Sequence, residues 1–166
     1  DGPTSAGGTA TFPEGATTST VTIDSSGGAV TAGGLSFSGA DPYTLEMKAG
    51  GDDDEVSLKA SGGATILHVD NQDHAISANV ALSNDLTATM STEGYGVEVS
   101  GAVSGAGRSV SKTGPGTFTL SGANTYDGGT AISEGLLIAR TSSSALGAGG
   151  VTLSGGTLRV DDDVIA

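Results

Sequence analysis

The chain has 166 residues, with 6 Lys and Arg against 19 Asp and Glu, and so a net charge of −13 at pH 7. A surface this acidic repels nucleic acid and anionic lipid, and no apolar run approaches the roughly 20 residues that a membrane-spanning helix needs. The absence of Cys excludes disulfides and thiolate metal sites.

Leu, Val, Ile and Phe make up about a fifth of the residues, the level at which a charged chain stands between order and disorder. Pattern decides for order. Val21 and Ile23, Leu35 and Phe37, Leu45 and Met47, Val56 and Leu58, Val80 and Leu82, Val97 and Val99 all recur at spacing two. That is the period of half-buried strands, and a disordered chain has no reason to keep it.

In chain order, residues 1–19 are rich in Gly, Thr and Ser with Phe12 as the apolar anchor, and are expected to be poorly structured or a partial first coil. Residues 20–166 read as one all-β unit. Strands are predicted at 20–23, 35–38, 43–47, 55–60, 65–69, 75–82, 86–90, 96–103, 109–112, 117–120, 130–139, 151–153 and 157–160. No helical period occurs, and Thr141 to Leu146 makes at most a single turn. The chain opens at Asp1-Gly2 without Met, so it is expected to be a piece of a longer protein.

The most informative stretch is Lys112 to Leu137, KTGPGTFTLSGANTYDGGTAISEGLL. Phe118 and Leu120 alternate with Thr117, Thr119 and Ser121. A corner of Gly122, Asn124, Asp127, Gly128 and Gly129 follows, and Ile132 and Leu137 resume the apolar pattern. The stretch resembles the autotransporter-associated β-strand repeat, with Phe118, Asp127 and Leu136 as mild departures; Ser144 to Gly147 and Gly155 to Leu158 are similar to the repeat's continuation. The resemblance covers about a third of the chain. It implies a right-handed parallel β-helix in the passenger of a secreted, surface-displayed Gram-negative protein. It implies no particular activity.

An internal echo supports a solenoid. Ser38-Gly39-Ala40-Asp41-Pro42-Tyr43 resembles Ser121-Gly122-Ala123-Asn124-Thr125-Tyr126, and both are expected at the same corner. Shorter copies at Ser61, Ser100 and Ser154 suggest a unit of 21 to 23 residues, hence about seven coils. The rival architecture is an antiparallel sandwich, favoured locally by hairpin signals at VTLSGGTLRV and Asp127-Gly128. Asn124 and Asp41 are expected to bond backbone at their corners.

Candidate sites are few. His68, Asp70, Asp73 and His74 place both histidines among carboxylates, a grouping able to hold a divalent metal or move a proton; the preferred reading is a solvated polar face beside a turn at Asn71-Gln72. Gly50 to Leu58, GGDDDEVSL, departs from a calcium nonapeptide at Asp53 and Glu55 and reads as an acidic loop, as does Asp161 to Asp163. Lys48, Lys59, Arg108, Lys112, Arg140 and Arg159 are scattered, and no G-x-S-x-G elbow occurs. The segment is therefore expected to be a stalk or adhesive module rather than an enzyme, with no cofactor. Its expected partners are neighbouring coils, a host-cell surface protein or glycan, and weak head-to-tail copies of itself. A carbohydrate-binding or carbohydrate-cleaving fragment is the alternative.

Overall fold

Short strands of alternating aliphatic and small polar residues can each bury at most a few side chains, so they are stable only when stacked on like neighbours. The computed structural model describes residues 9–12, 20–23, 30–38, 41–47, 55–58, 64–68 and 71–161, and in them this stacking is the whole architecture. The chain runs through β1 (Thr9–Phe12), β2 (Thr20–Ile23) and β3 (Val30–Ala32), then β4 (Gly34–Phe37), β5 (Thr44–Met47) and β6 (Glu55–Leu58). The next circuit is β7 (Ala64–His68), β8 (His74–Ile76) and β9 (Asn79–Leu82), followed by β10 (Leu86–Met90), β11 (Gly96–Val99) and β12 (Val103–Ser104). Three shorter circuits follow: β13 (Val110–Thr113) with β14 (Thr117–Leu120), β15 (Thr130–Ile132) with β16 (Leu136–Ala139), and β17 (Val151–Leu153) with β18 (Thr157–Val160).

The strands form three sheets, ordered β1-β4-β7-β10-β13-β15-β17, β2-β5-β8-β11-β14-β16-β18 and β3-β6-β9-β12. Each strand pairing is parallel. This is a parallel β-solenoid of the β-helix class, and among the described residues it holds no helix. The hairpin reading of VTLSGGTLRV is overturned: β17 pairs with β15 and β18 with β16, and the Gly155-Gly156 link turns a corner between two sheets.

The expectation of about seven coils is also corrected, because among the described residues four turns carry all three strands. Beyond Ser104 the third sheet stops. The corner after β14 takes its place, with Thr125 N–H donating to Val103 O at 2.9 Å and the Asn124 side chain accepting from Val103 N–H at 2.8 Å. A carboxamide thus supplies the ladder bond that a further strand would have made.

Period-two alternation becomes apolar ladders along the axis. Leu45, Ile76, Val99, Leu120 and Ala139 stand in register inside the second sheet, Val97, Phe118 and Leu137 form a parallel row, and Val56, Val80 and Val103 line the third sheet; all are buried. Each Val, Leu, Ile or Phe among them contributes roughly 1.5–3 kcal/mol of burial, which compensates for the few aromatics.

Three predicted strands, 75–82, 96–103 and 130–139, are each broken in two. The breaks fall at corners: Ser77-Ala78, Ser100 to Ala102, and Ser133 to Gly135. Gly135 sits at φ +67° with a Cβ position only 2.4 Å from Gly114 O, and at Gly122 a Cβ would lie 2.2 Å from Gly101 O, so stacked corners exclude side chains there. β1 and β3 were not anticipated from sequence.

The echo between Ser38 to Tyr43 and Ser121 to Tyr126 does not mark one corner. The first joins β4 in the first sheet to β5 in the second, whereas the second leaves β14 in the second sheet for β15 in the first. The corner that does stack is Ser77, Ser100 and Ser121, whose N–H groups donate to Leu45, Ile76 and Val99 carbonyls of the preceding circuits. Ser154 belongs to a different corner, donating to Ile132 O; Gly39, Ala40 and Ser61 lie outside the described residues.

Candidate functional site

Polar side chains inside the solenoid reveal what the motif residues do. Lys112 on β13 lies in the otherwise apolar row Leu35, Ile66, Ala88, Lys112, Ile132, and it is 0% exposed. Its aliphatic stem follows the row while Nζ donates to the carbonyls of Thr113 at 2.9 Å, Gly114 at 2.7 Å and Glu134 at 3.2 Å. A buried charge is tolerated when its donors are all used. Burial pulls the ammonium down to about 8, opposed in part by the nearby Glu134 carboxylate. In sequence Lys112 is one of the scattered basic residues; its spacing of two from Val110 is the one local hint of its face, and the ladder opposite Ala88 and Ile132 is what places it inside.

Asn124 is buried at the corner after β14 and bonds two circuits at once. Its Oδ1 accepts from Val103 N–H, and its Nδ2 donates to Ala145 O at 2.5 Å. Tyr126, two residues on, is also buried, with its hydroxyl 2.7 Å from Thr130 Oγ1, which in turn donates to Leu146 O at 3.0 Å. Burial pushes the phenol up to about 12, with the Thr130 bond acting in the opposite sense. Asn124 fulfils its expected corner role, while Asp41 stands exposed.

Of the histidine and aspartate grouping, the described members stand on different elements. His68 lies on β7 of the first sheet and His74 on β8 of the second. His74 is not on a solvated face: it is 3% exposed, its ring stacks on Phe37 at 4.7 Å between centroids and lies 5.9 Å from Tyr43, and its Nδ1 accepts from Tyr43 N–H at 3.0 Å. Asp73 Oδ1 accepts from Gly96 N–H at 2.9 Å. Asp70 lies outside the described residues, and so do Lys48, Gly50 to Asp54, Lys59, Asp162 and Asp163. No three His, Asp or Glu side chains converge among the described residues.

The outer face of the second sheet carries a groove of about 380 Å³. It crosses β5, β8, β11, β14 and β16, and its lining includes Thr44, Ala75, Glu98, Thr119 and Ile138, a single outward-facing row in register. Arg140, just past β16, closes one side with Nη2 4.0 Å from Glu98 Oε2; both side chains are about 40% exposed. Glu98 Oε1 accepts from Ser121 Oγ at 2.9 Å. The Arg140 Nε is buried without a hydrogen-bond partner among the described residues. Sequence reading had no means of joining these residues, since they come from five circuits.

Among known protein families, the passenger-associated-transport-repeat matches residues 110–139, a span that contains Lys112, Asn124, Tyr126 and Thr130. No curated protein and no solved structure matches the chain.

Proposed function

Residues 110–139 carry the passenger-associated-transport-repeat, and from that premise we propose that this segment is a structural stalk of a secreted, surface-displayed autotransporter passenger, without catalytic work of its own. One observation carries the reading: the distinctive polar residues of the repeat are spent on bonds inside the solenoid. Lys112 binds three carbonyls, Asn124 bridges the circuits before and after it, and Tyr126 ties its corner to Thr130. Residues of this kind in an enzyme would converge on a cleft, with a nucleophile or acid facing a base. Here they point inward, where Lys112 and Asn124 hold one circuit to the next and Tyr126 fixes its own corner. Such a unit can be repeated indefinitely without change, which is what a spacer requires. Display of a distal adhesive element, or adhesion by exposed faces of the solenoid, is the role such a spacer serves.

The test is display on the parent cell. Antibody raised against this segment should label intact cells, and brief external protease should remove the label. Labelling that requires permeabilised cells would exclude a surface-exposed passenger. Screening the purified segment for hydrolysis of glycan, ester and peptide substrates should give no turnover; turnover abolished by substituting a groove residue would overturn the non-catalytic reading.

A further inference from the structure

We propose that the groove on the outer face of the second sheet binds a linear, uncharged oligosaccharide lying along the solenoid axis, with Arg140 and Glu98 as its polar clamp. The dimensions come first. The groove spans five neighbouring strands, and with parallel strands roughly 4.8 Å apart it is about 19 Å long. It runs across strands that repeat at regular intervals, so an extended ligand lying along it meets a new side chain at each step.

The chemistry narrows the ligand. Ala75, half-buried on β8, offers an apolar contact for the C–H face of one sugar ring, and the nearly buried Ile138 lies three strands further along the groove. Beside it, and open to solvent, stand a donor-only guanidinium at Arg140 and an acceptor-only carboxylate at Glu98. Hydroxyls of a sugar both donate and accept, so one ring satisfies this mixed set. Charge argues against anionic ligands: Asp73 and Glu98 outnumber Arg140 in the lining, and the chain carries −13. A divalent cation finds no convergent ligand set among the described residues.

Arg140 shows two independent signs of being held for a ligand. Its Nε–H is orphaned and its ion pair with Glu98 sits at the 4.0 Å limit, so the guanidinium has hydrogen-bonding capacity that the protein does not use. The residue that follows, Thr141, has φ +68°, and Ser142 N–H donates back to Arg140 O at 2.8 Å in a tight turn. A β-branched residue in left-handed backbone is strained, and such strain persists where the backbone must aim a neighbour. The assignment stands on the groove alone and holds whether or not the segment serves as a stalk.

The test is binding of the 166-residue chain to immobilised neutral tetrasaccharides (glucan, mannan and galactan series) beside a galacturonan tetramer, read by interferometry. Saturable binding of at least one neutral tetramer is expected, with the galacturonan weaker. Glu98→Gln and Arg140→Gln should each weaken it roughly tenfold or more, as loss of a charge-assisted hydrogen bond does. Ala75→Gln, which fills the groove at a half-buried position beside Glu98 on the neighbouring strand, should abolish it while melting like the parent. If either clamp variant fails to fold, Ala75→Gln decides. Absence of neutral binding, preference for the galacturonan, or binding unmoved by Ala75→Gln overturns the proposal.

Discussion

The Lys112 ammonium donates to the backbone carbonyl of Glu134 at 3.2 Å, so a charge buried in one circuit fastens the corner of the next. The same ammonium holds the Thr113 and Gly114 carbonyls of its own corner. Removing it tests how much the solenoid relies on polar pins inside an apolar core.

Lys112→Met keeps the apolar stem but leaves three carbonyls without this donor, and should lower stability at pH 7 by about 2 kcal/mol. Its pH signature is distinctive. The folded protein releases the Lys112 proton near pH 8, whereas the unfolded chain holds it to about 10.5. Between those values the unfolded state binds more protons, so stability rises with pH. Thermal melts from pH 8 to 10 should show the parent gaining on the Met variant; a constant gap would mean that the ammonium carries no burial penalty.

Tyr126 behaves in the opposite sense at higher pH. Its phenol ionises near 12 in the fold against 10 when unfolded, so the stability it contributes is intact below pH 10 and is lost as pH climbs toward 12. Tyr126→Phe removes the 2.7 Å bond to Thr130 and should cost about 1 kcal/mol at pH 7. The variant should also lose less stability than the parent between pH 10 and 12 in chemical denaturation.

Asn124→Ala removes both the acceptor for Val103 N–H and the donor to Ala145 O in a buried corner. A loss of about 3 kcal/mol is expected, toward the upper end for two buried partners left unsatisfied. Hydrogen exchange should quicken at Val103 and much less at Val99, whose ladder does not depend on the carboxamide. Equal quickening at both would locate the bridge elsewhere.

Thr141→Gly relieves a β-branched residue at φ +68° and should stabilise the fold by about 1 kcal/mol, net of the entropy that glycine adds to the unfolded chain. A higher denaturation midpoint with an unchanged slope is the expected result. If Arg140 is aimed by this strain, the same variant should also weaken binding to the immobilised tetrasaccharide.

The last described circuit leaves Val151, Leu153 and Val160 at 38, 52 and 39% exposure, an apolar rung with no circuit stacked on its far side among the described residues. We expect weak head-to-tail association, held off by the −13 charge at low salt and strengthened as salt screens it. Sedimentation velocity across a salt series should show this. Replacing Asp161, Asp162 and Asp163 with Ser should raise association at low salt, and an unchanged triple variant would remove the acidic run from the account.

Much of the strand content was legible because period-two alternation is a local property: Leu86 to Met90 and Thr117 to Leu120 occur where the pattern placed them. The misreadings share one cause. Apolar positions on both sides of Ser77, Ser100 and Ser133 keep facing inward across a corner, so one uninterrupted pattern conceals two strands on different sheets. The Gly155-Gly156 dipeptide misled in the same way, since a sharp corner and a hairpin ask for the same residues.

By itself the sequence determined that this is an all-β chain of stacked short strands, and its Lys112 to Leu137 stretch identified the repeat, because both depend on residues adjacent in the chain. Only the tertiary structure decided that Lys112 is buried, that His74 stacks in the core, that Asn124 ends the third sheet, and that Glu98 and Arg140 face each other across a groove. The physical reason is the parallel coil. Partners across its ladders lie 19 to 31 residues apart, as with Thr117 and Leu136 or Thr44 and Ala75, and the circuits differ in length. Which side chains become neighbours is therefore set by the length of each circuit and the bends at its corners, quantities that no local pattern of residues encodes.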